Sequence, residues 1–288
     1  AATAVSIDPA GNRAAIAHDG WVSDFSLTDK SLEATHSVPA NIGDIIADSD
    51  GYAYAFPSDG QWTQLQTVNL DTGENKTVSL YPLRQGMIVR LHPDGKKIYG
   101  ADNGLSPSDL ERYNIAAGNA TRAYDSPYHG DFPFCGDLWI GSEGNSILSR
   151  CGVIVRATDD QATDLTFMMQ LGDFSGGIQH ADSSTFNNAW YVVDGTGEGV
   201  KVYDADSGLL TDTVELPYVD GSVTDRWMAK YVFATDTSNL IYILAQDDLV
   251  TPQKFVLLKH HASGPVVPSV PVAVVPRYTT VRQNSPVI

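Results

Sequence analysis

Cysteine, methionine and positive charge are all scarce in this chain: 2 Cys, 4 Met and 18 Lys plus Arg among 288 residues. Two cysteines with no Cys-x-x-Cys spacing cannot complete a four-ligand metal site by themselves. The few bases face 35 acids, for a formal charge of −17, so phosphate backbones and anionic lipid surfaces are repelled. Nucleic acid is excluded as a partner. No run reaches the ~18 uninterrupted apolar residues of a membrane-spanning helix. The best candidate, Val266 to Pro276, is broken by Pro268, Pro271 and Pro276, and membrane insertion is not expected. No segment sustains a 3.6-residue apolar period, and there is no Gly-x-Ser-x-Gly elbow, phosphate-binding loop or His-Glu-x-x-His spacing.

What is present is turns: 25 Gly and 15 Pro without a collagen-like period, in a chain that is 42% hydrophobic. One unit recurs. A short apolar strand runs into a turn, and the turns are Asp8-Pro9-Ala10-Gly11-Asn12, Asp48-Ser49-Asp50-Gly51 and His92-Pro93-Asp94-Gly95, then Ser142-Glu143-Gly144-Asn145, Asp182-Ser183-Ser184 and Asp236-Thr237-Ser238-Asn239. They recur about every 40 to 50 residues, the period of a four-stranded propeller blade. Second turns at Asp71-Thr72-Gly73, Ala116-Ala117-Gly118 and Asp206-Ser207-Gly208 follow roughly 22 to 24 residues later in their units. Runs such as Tyr52-Ala53-Tyr54-Ala55-Phe56 and Trp190-Tyr191-Val192-Val193 are β-branched or aromatic and too short for helices.

The spacing therefore predicts an all-β fold, a β-propeller of six four-stranded units over residues 1–262, with a seventh blade left open. One sheet cannot cover both of its own apolar faces, so stacked copies must do so. The sixth unit reads as incomplete, because residues 263–288 form a Pro-rich extended tail or linker. Tyr278-Thr279-Thr280-Val281 is its one further strand candidate, for the chain's own open edge or for a neighbour's in self-assembly.

From Trp62 onward the chain resembles propeller domains of large secreted or surface bacterial proteins. The resemblance is carried by Leu91 to Asp109, Tyr124 to Trp139 and Ile147 to Arg156, with His18-Asp19-Gly20-Trp21-Val22-Ser23 also fitting. It spans residues 4 to about 260, and those relatives carry one more blade upstream. Pro271-Val272-Ala273 through Gln283-Asn284-Ser285-Pro286-Val287-Ile288 resembles the opening strand of a PKD or other Ig-like repeat. The resemblance implies a secreted or cell-surface binding part and supplies no catalytic residues. The opening Ala1-Ala2-Thr3 fits the mature end left by cleavage at a small-residue site.

Several residues could carry chemistry. Cys135 and Cys151 flank the hairpin turn Ser142 to Asn145, and pairing outward from it sets them opposite one another, which predicts a disulfide and an oxidising compartment. His129 and Asp131 form an acid/base or cation-ligand pair in one reading; in the other, His129 bonds a turn and Asp131 caps a loop. Asp48 and Asp50 resemble the start of a calcium loop but lack its later ligands, so Ca2+ and a plain turn both stay open. No other cofactor is expected. Trp21, Trp62, Tyr128 and Trp227 are candidate platforms for a carbohydrate or a protein partner, or else blade packing. His260-His261 reads as a solvent-exposed pair. These features favour a non-enzymatic extracellular module that binds or assembles, with a metal-dependent propeller hydrolase or lactonase, and a subunit completed by strand exchange, as the alternatives.

Overall fold

The computed structural model describes residues 2–18, 20–58, 63–80, 83–219, 222, 224–247, 253–261 and 267–272. Among them every regular element is a strand, and there is no helix. The strands form six four-stranded sheets, each antiparallel in the register pairs described. Sheet 1 comprises β1 (Ala2–Ile7), β2 (Arg13–His18), β3 (Trp21–Ser26) and β4 (Ser31–Ser37). Sheet 2 comprises β5 (Ile42–Ala47), β6 (Tyr52–Pro57), β7 (Leu65–Asn69) and β8 (Asn75–Val78). Sheet 3 comprises β9 (Ile88–Leu91), β10 (Lys97–Ala101), β11 (Leu110–Ala116) and β12 (Asn119–Asp125). Sheet 4 holds β13 (Leu138–Ile140), β14 (Ser146–Ser149), β15 (Val153–Arg156) and β16 (Phe167–Gln170). Sheet 5 holds β17 (Ile178–Ser184), β18 (Ala189–Asp194), β19 (Gly199–Asp204) and β20 (Leu210–Glu215). Sheet 6 holds β21 (Met228–Ala234), β22 (Leu240–Asp247), β23 (Lys254–His261) and β24 (Val267–Val272). Two compact units result. Sheets 1 to 3 and residues 158–166 belong to the first, and sheets 4 to 6 to the second.

Local chemistry explains the repeat. Asp8 Oδ1 accepts the amides of Asn12 and Arg13, while Gly11, at φ 71°, closes the turn by donating to the Asp8 carbonyl. Gly95 and Gly144 close the turns after β9 and β13 in the same way. These positive-φ sites need glycine, which is why the signal is visible in sequence. Strand alternation then sorts the side chains. Ala53 and Ala55 of β6 join a cluster with Ala15, Ala17, Ile45 and Ala47 of sheets 1 and 2. Tyr54 and Phe56 of the same strand join Ile46, Val89, Ile98 and Tyr113 of sheets 2 and 3. In the second unit, Trp190 and Val192 pack toward sheet 4, and Tyr191 and Val193 toward sheet 6. Both faces of β6 and β18 are dry, as stacked blades require.

Two expectations shift. Asp182, Ser183 and Ser184 end β17 instead of forming the turn, which lies at residues 185–188. Asp182 is held in the strand because Oδ2 accepts the Ala234 amide of β21 and Oδ1 the Ser183 amide. The sixth unit is also complete: Val267–Val272 pairs with β23, Leu257 facing Val270 and Val256 facing Pro271. Pro268 and Pro271 hid this strand from a propensity reading, yet proline is tolerated at a sheet edge. Tyr278 to Val281 lies outside the described residues.

Cys135 and Cys151 are joined in a disulfide, as the hairpin spacing predicts. A loop of this length contributes ~3 kcal/mol by restricting the unfolded chain.

Candidate functional site

The segment from Ser126 to Asp137, between β12 and β13, carries the residues His129 and Asp131. The carboxylate that meets the imidazole is not Asp131 but Asp109, at the start of β11, with Oδ2 3.3 Å from His129 Nδ1. Asp131 Oδ2 instead accepts the His129 amide at 3.3 Å, a loop cap. Asp109 is buried, and desolvation raises its pKa against the hydrogen bonds of Ser126 Oγ and the Leu110 amide. Its Oδ1 is thus spent on holding the loop and Oδ2 faces the imidazole, while the His129 side chain is 72% exposed. Tyr128 stacks edge-on against Phe132 at 4.7 Å, an internal contact of the same loop.

Asp48 and Asp50 stay within the β5–β6 turn. Asp48 Oδ1 accepts the amides of Asp50 and Tyr52, and Oδ2 the Tyr54 hydroxyl, with burial raising its pKa. Among the described residues no three His, Cys, Asp or Glu side chains converge as cation ligands. Of the candidate platforms, Trp21 opens β3 and is 44% exposed. Trp227 packs onto the cluster of sheets 5 and 6 and is half-buried. Trp62 and Asp19 lie outside the described residues.

The second unit holds what the sequence did not reveal. A cavity of about 270 Å³ opens between sheets 5 and 6, lined on one side by Asn187, Asn188, Tyr191, Asp204, Thr211 and Asp212, and on the other by Asn239, Ile241 and His260. A second, of about 110 Å³, lies between sheets 4 and 5 and shares Asn188 and Ala189 with the first. His260 is buried, against expectation. Alternation along β23 turns it inward opposite Ile241 and leaves His261 outside. Its Nδ1 makes no hydrogen bond. Desolvation lowers the His260 pKa, against the attraction of Asp212. Asn187 Nδ2 is likewise buried and lies beside the Tyr191 hydroxyl. A buried polar nitrogen without a partner costs ~1–3 kcal/mol, which makes His260 Nδ1 the unsatisfied group beside this cavity. Only the 2-residue alternation of β23 could have pointed to His260 in advance.

No protein-family model matches the chain, and no curated protein does. Solved structures do. Hydrazine synthase of Kuenenia stuttgartiensis is similar at 13% identity over 94% of this chain and 83% of that one, with a TM-score of 0.62. The β-propeller domain of Cps50 (Swd1) from Myceliophteria thermophila is similar at 11% identity over 91% and 84%, with a TM-score of 0.63. The fold is a β-propeller. A chain in the mitotic checkpoint complex is similar too, at 11% identity over 98% and 78% and a TM-score of 0.65. At such identities the likeness carries the propeller architecture and no activity or ligand.

Proposed function

We propose that this propeller is a non-enzymatic binding module that works outside the cell, as part of a secreted or surface bacterial protein. The carrying observation is the polar cavity of the second unit, whose lining includes the buried His260, with an Nδ1 that makes no hydrogen bond. A concave site with a few convergent polar groups on an apolar floor is what a small ligand needs. The disulfide supports an oxidising compartment. The hydrolase reading has no His129–Asp131 pair to rest on, because the imidazole faces Asp109 Oδ2 instead. Any Ig-like repeat would begin beyond Val272, which closes β24. The reading is tested by incubating the protein with ester, lactone and glycoside substrates, with and without Ca2+. We expect no turnover above a His129→Gln, Asp109→Asn control; turnover abolished in that variant overturns the reading.

Strand exchange is the second reading, and β24 favours it. The strand completes its own sheet after residues 262–266, so the same segment is the one a neighbour would receive. Truncation after His261 tests this: loss of an oligomer on sizing supports exchange, and identical migration of both chains overturns it.

A further inference from the structure

We propose that mild acid opens the seam between sheets 5 and 6 along its third and fourth strands, with His260 as the group that takes the proton and the first strands, β17 and β21, as the hinge. The switch sits on the cavity that carries the binding-module reading, but it needs no ligand there.

The two sides of this seam are held differently. Along the first strands and the turns that follow them, hydrogen bonds cross it. The Ala234 amide donates to Asp182 Oδ2 at 2.9 Å, Ser184 Oγ to the Thr235 carbonyl at 2.6 Å, and the Thr185 amide to Asp236 Oδ1 at 2.9 Å. Farther along, β22 and β23 meet sheet 5 by apolar packing, with Ile241, Val256 and Leu258 in one cluster with Ala189, Val200 and Val214. The cavity of about 270 Å³ interrupts that packing. Apolar contact is non-directional and has nothing to offer a charge that needs hydration.

His260 stands at this weak side. It is 8% exposed and lines the cavity. An uncharged imidazole can leave Nδ1 as a bare lone pair, whereas a charged one carries a proton on both nitrogens. Since Nδ1 makes no hydrogen bond, the charged ring would bury an N–H without an acceptor. The groups that face it do not offset this. Asp212 of β20 attracts the proton from an exposed edge strand, and His261, next along β23, opposes the charge. Asp204 of β19 is committed to the Ser207 amide and hydroxyl, and Tyr191 is the ionisable group that β18 adds to the wall. Asn239 and Ile241, before and on β22, do not ionise, and β24 carries no ionisable side chain. Burial outweighs the Asp212 attraction, and the pKa falls below its ordinary 6.5.

Opening hydrates the ring and restores the ordinary value, so the open seam holds the proton more tightly than the closed one. Acidification therefore favours opening. From 6.5 down to the lowered closed-state value, the open fraction rises about tenfold per pH unit, and below that it levels. Asp182 works the other way at the hinge. Burial raises its pKa to about 6, so acid favours the state in which the first strands stay together. One side loosens while the other tightens.

Thiol labelling of the full chain reads the two sides separately, because both native cysteines are tied in the disulfide. Val214→Cys puts a thiol on the cavity wall, and Val232→Cys puts one on β21. Each is labelled from about pH 7.5 to about pH 4.5, and the rate is divided by that of the urea-unfolded chain at the same pH. We expect the Val214→Cys thiol to lose protection about tenfold per pH unit below 6.5 and the Val232→Cys thiol to keep it. Adding His260→Gln, checked for unchanged circular dichroism, should flatten the Val214→Cys profile. If that variant does not fold, Asp212→Asn, at an exposed residue, should move the loss to lower pH by removing the attraction. A Val214→Cys profile that is flat, that survives His260→Gln or that ignores Asp212→Asn overturns the switch. Loss of protection at both cysteines together shows unfolding of the whole unit and overturns the hinge. The substrate panel above decides the binding-module reading independently.

Discussion

The two units solve the same problem, closing the seams between stacked sheets, with different side chains. In the first unit the seams are bridged by long ionic groups. Arg13 reaches Asp24 and Asp71, Arg90 reaches Asp137, and Arg112 reaches Asp164, which also takes the hydroxyls of Tyr99 and Tyr124 and the Thr158 amide. In the second unit, short hydroxyls and amides meet across the seams, as when Ser183 Oγ accepts the Ser142 amide and Ser184 donates to the Thr235 carbonyl. Its ion pairs, such as Lys201–Asp194, lie nearer the surface. Long side chains fill a seam; short ones leave room. That difference leaves room in the second unit for the cavities described above.

Substitutions that exchange the two strategies sharpen the contrast, and the largest effect belongs to the first unit. Arg112→Ala strands the Asp164 carboxylate, which is wholly buried, and should cost ~3–5 kcal/mol in urea unfolding. Lys201→Ala, cutting the half-exposed pair of the second unit, should cost under ~1 kcal/mol. Equal losses would break the comparison. Next, the double variant Cys135→Ser, Cys151→Ser should lose ~3 kcal/mol, read by the same unfolding curve against reduced and oxidised parent.

A smaller effect concerns pH. Burial raises Asp182 to about 6, against the hydrogen bonds of the Ala234 and Ser183 amides. Since the folded pKa lies above the unfolded value near 3.9, its stabilising share is full below pH ~4 and is lost as pH climbs through 6. Acidifying from pH 7 to 4.5 should therefore gain ~1–2 kcal/mol from this group, discounted because its side chain keeps some solvent contact. Asp182→Asn should flatten that part of the midpoint-versus-pH curve. Asp44, in the first unit, also sits at about 6, raised by burial and opposed chiefly by Arg90. An Asp44→Asn variant that removes the same slope shows that a nearby guanidinium does not relieve the burial. Smallest of all, Asp131→Ala should cost under ~1 kcal/mol, the value of one exposed cap.

How much of this could be read from the chain depends on how local its cause is. The Asp8 to Gly11 and Asp48 to Gly51 turns announce themselves because caps and positive-φ glycines act over four residues. The blade period follows from such turns, and the disulfide from the one at Ser142 to Asn145. Asp182 carried the same turn signal and was misread, since its partner, the Ala234 amide, lies 52 residues away. His129 and Asp131 are neighbours in sequence, but the imidazole found Asp109, the residue just before β11. The cavity was invisible for the same reason: its walls come from β18, β19, β20, β22 and β23 together with the turns before them.

The seam between sheets 1 and 2 has a consequence for mutational tolerance. Ala4, Ala15, Ala17, Ala47, Ala53 and Ala55 make it thin, while Tyr54 and Phe56, interleaved along the same β6, make the next one thick. Neighbouring positions of one strand should therefore fail in opposite directions. At Ala53 and Ala55 any added bulk must wedge two sheets apart; at Tyr54 and Phe56 any loss of bulk leaves a void. A saturation scan of residues 53 to 56 would show an alternating pattern, growth forbidden and then shrinkage forbidden, that reports the spacing of sheets one residue at a time.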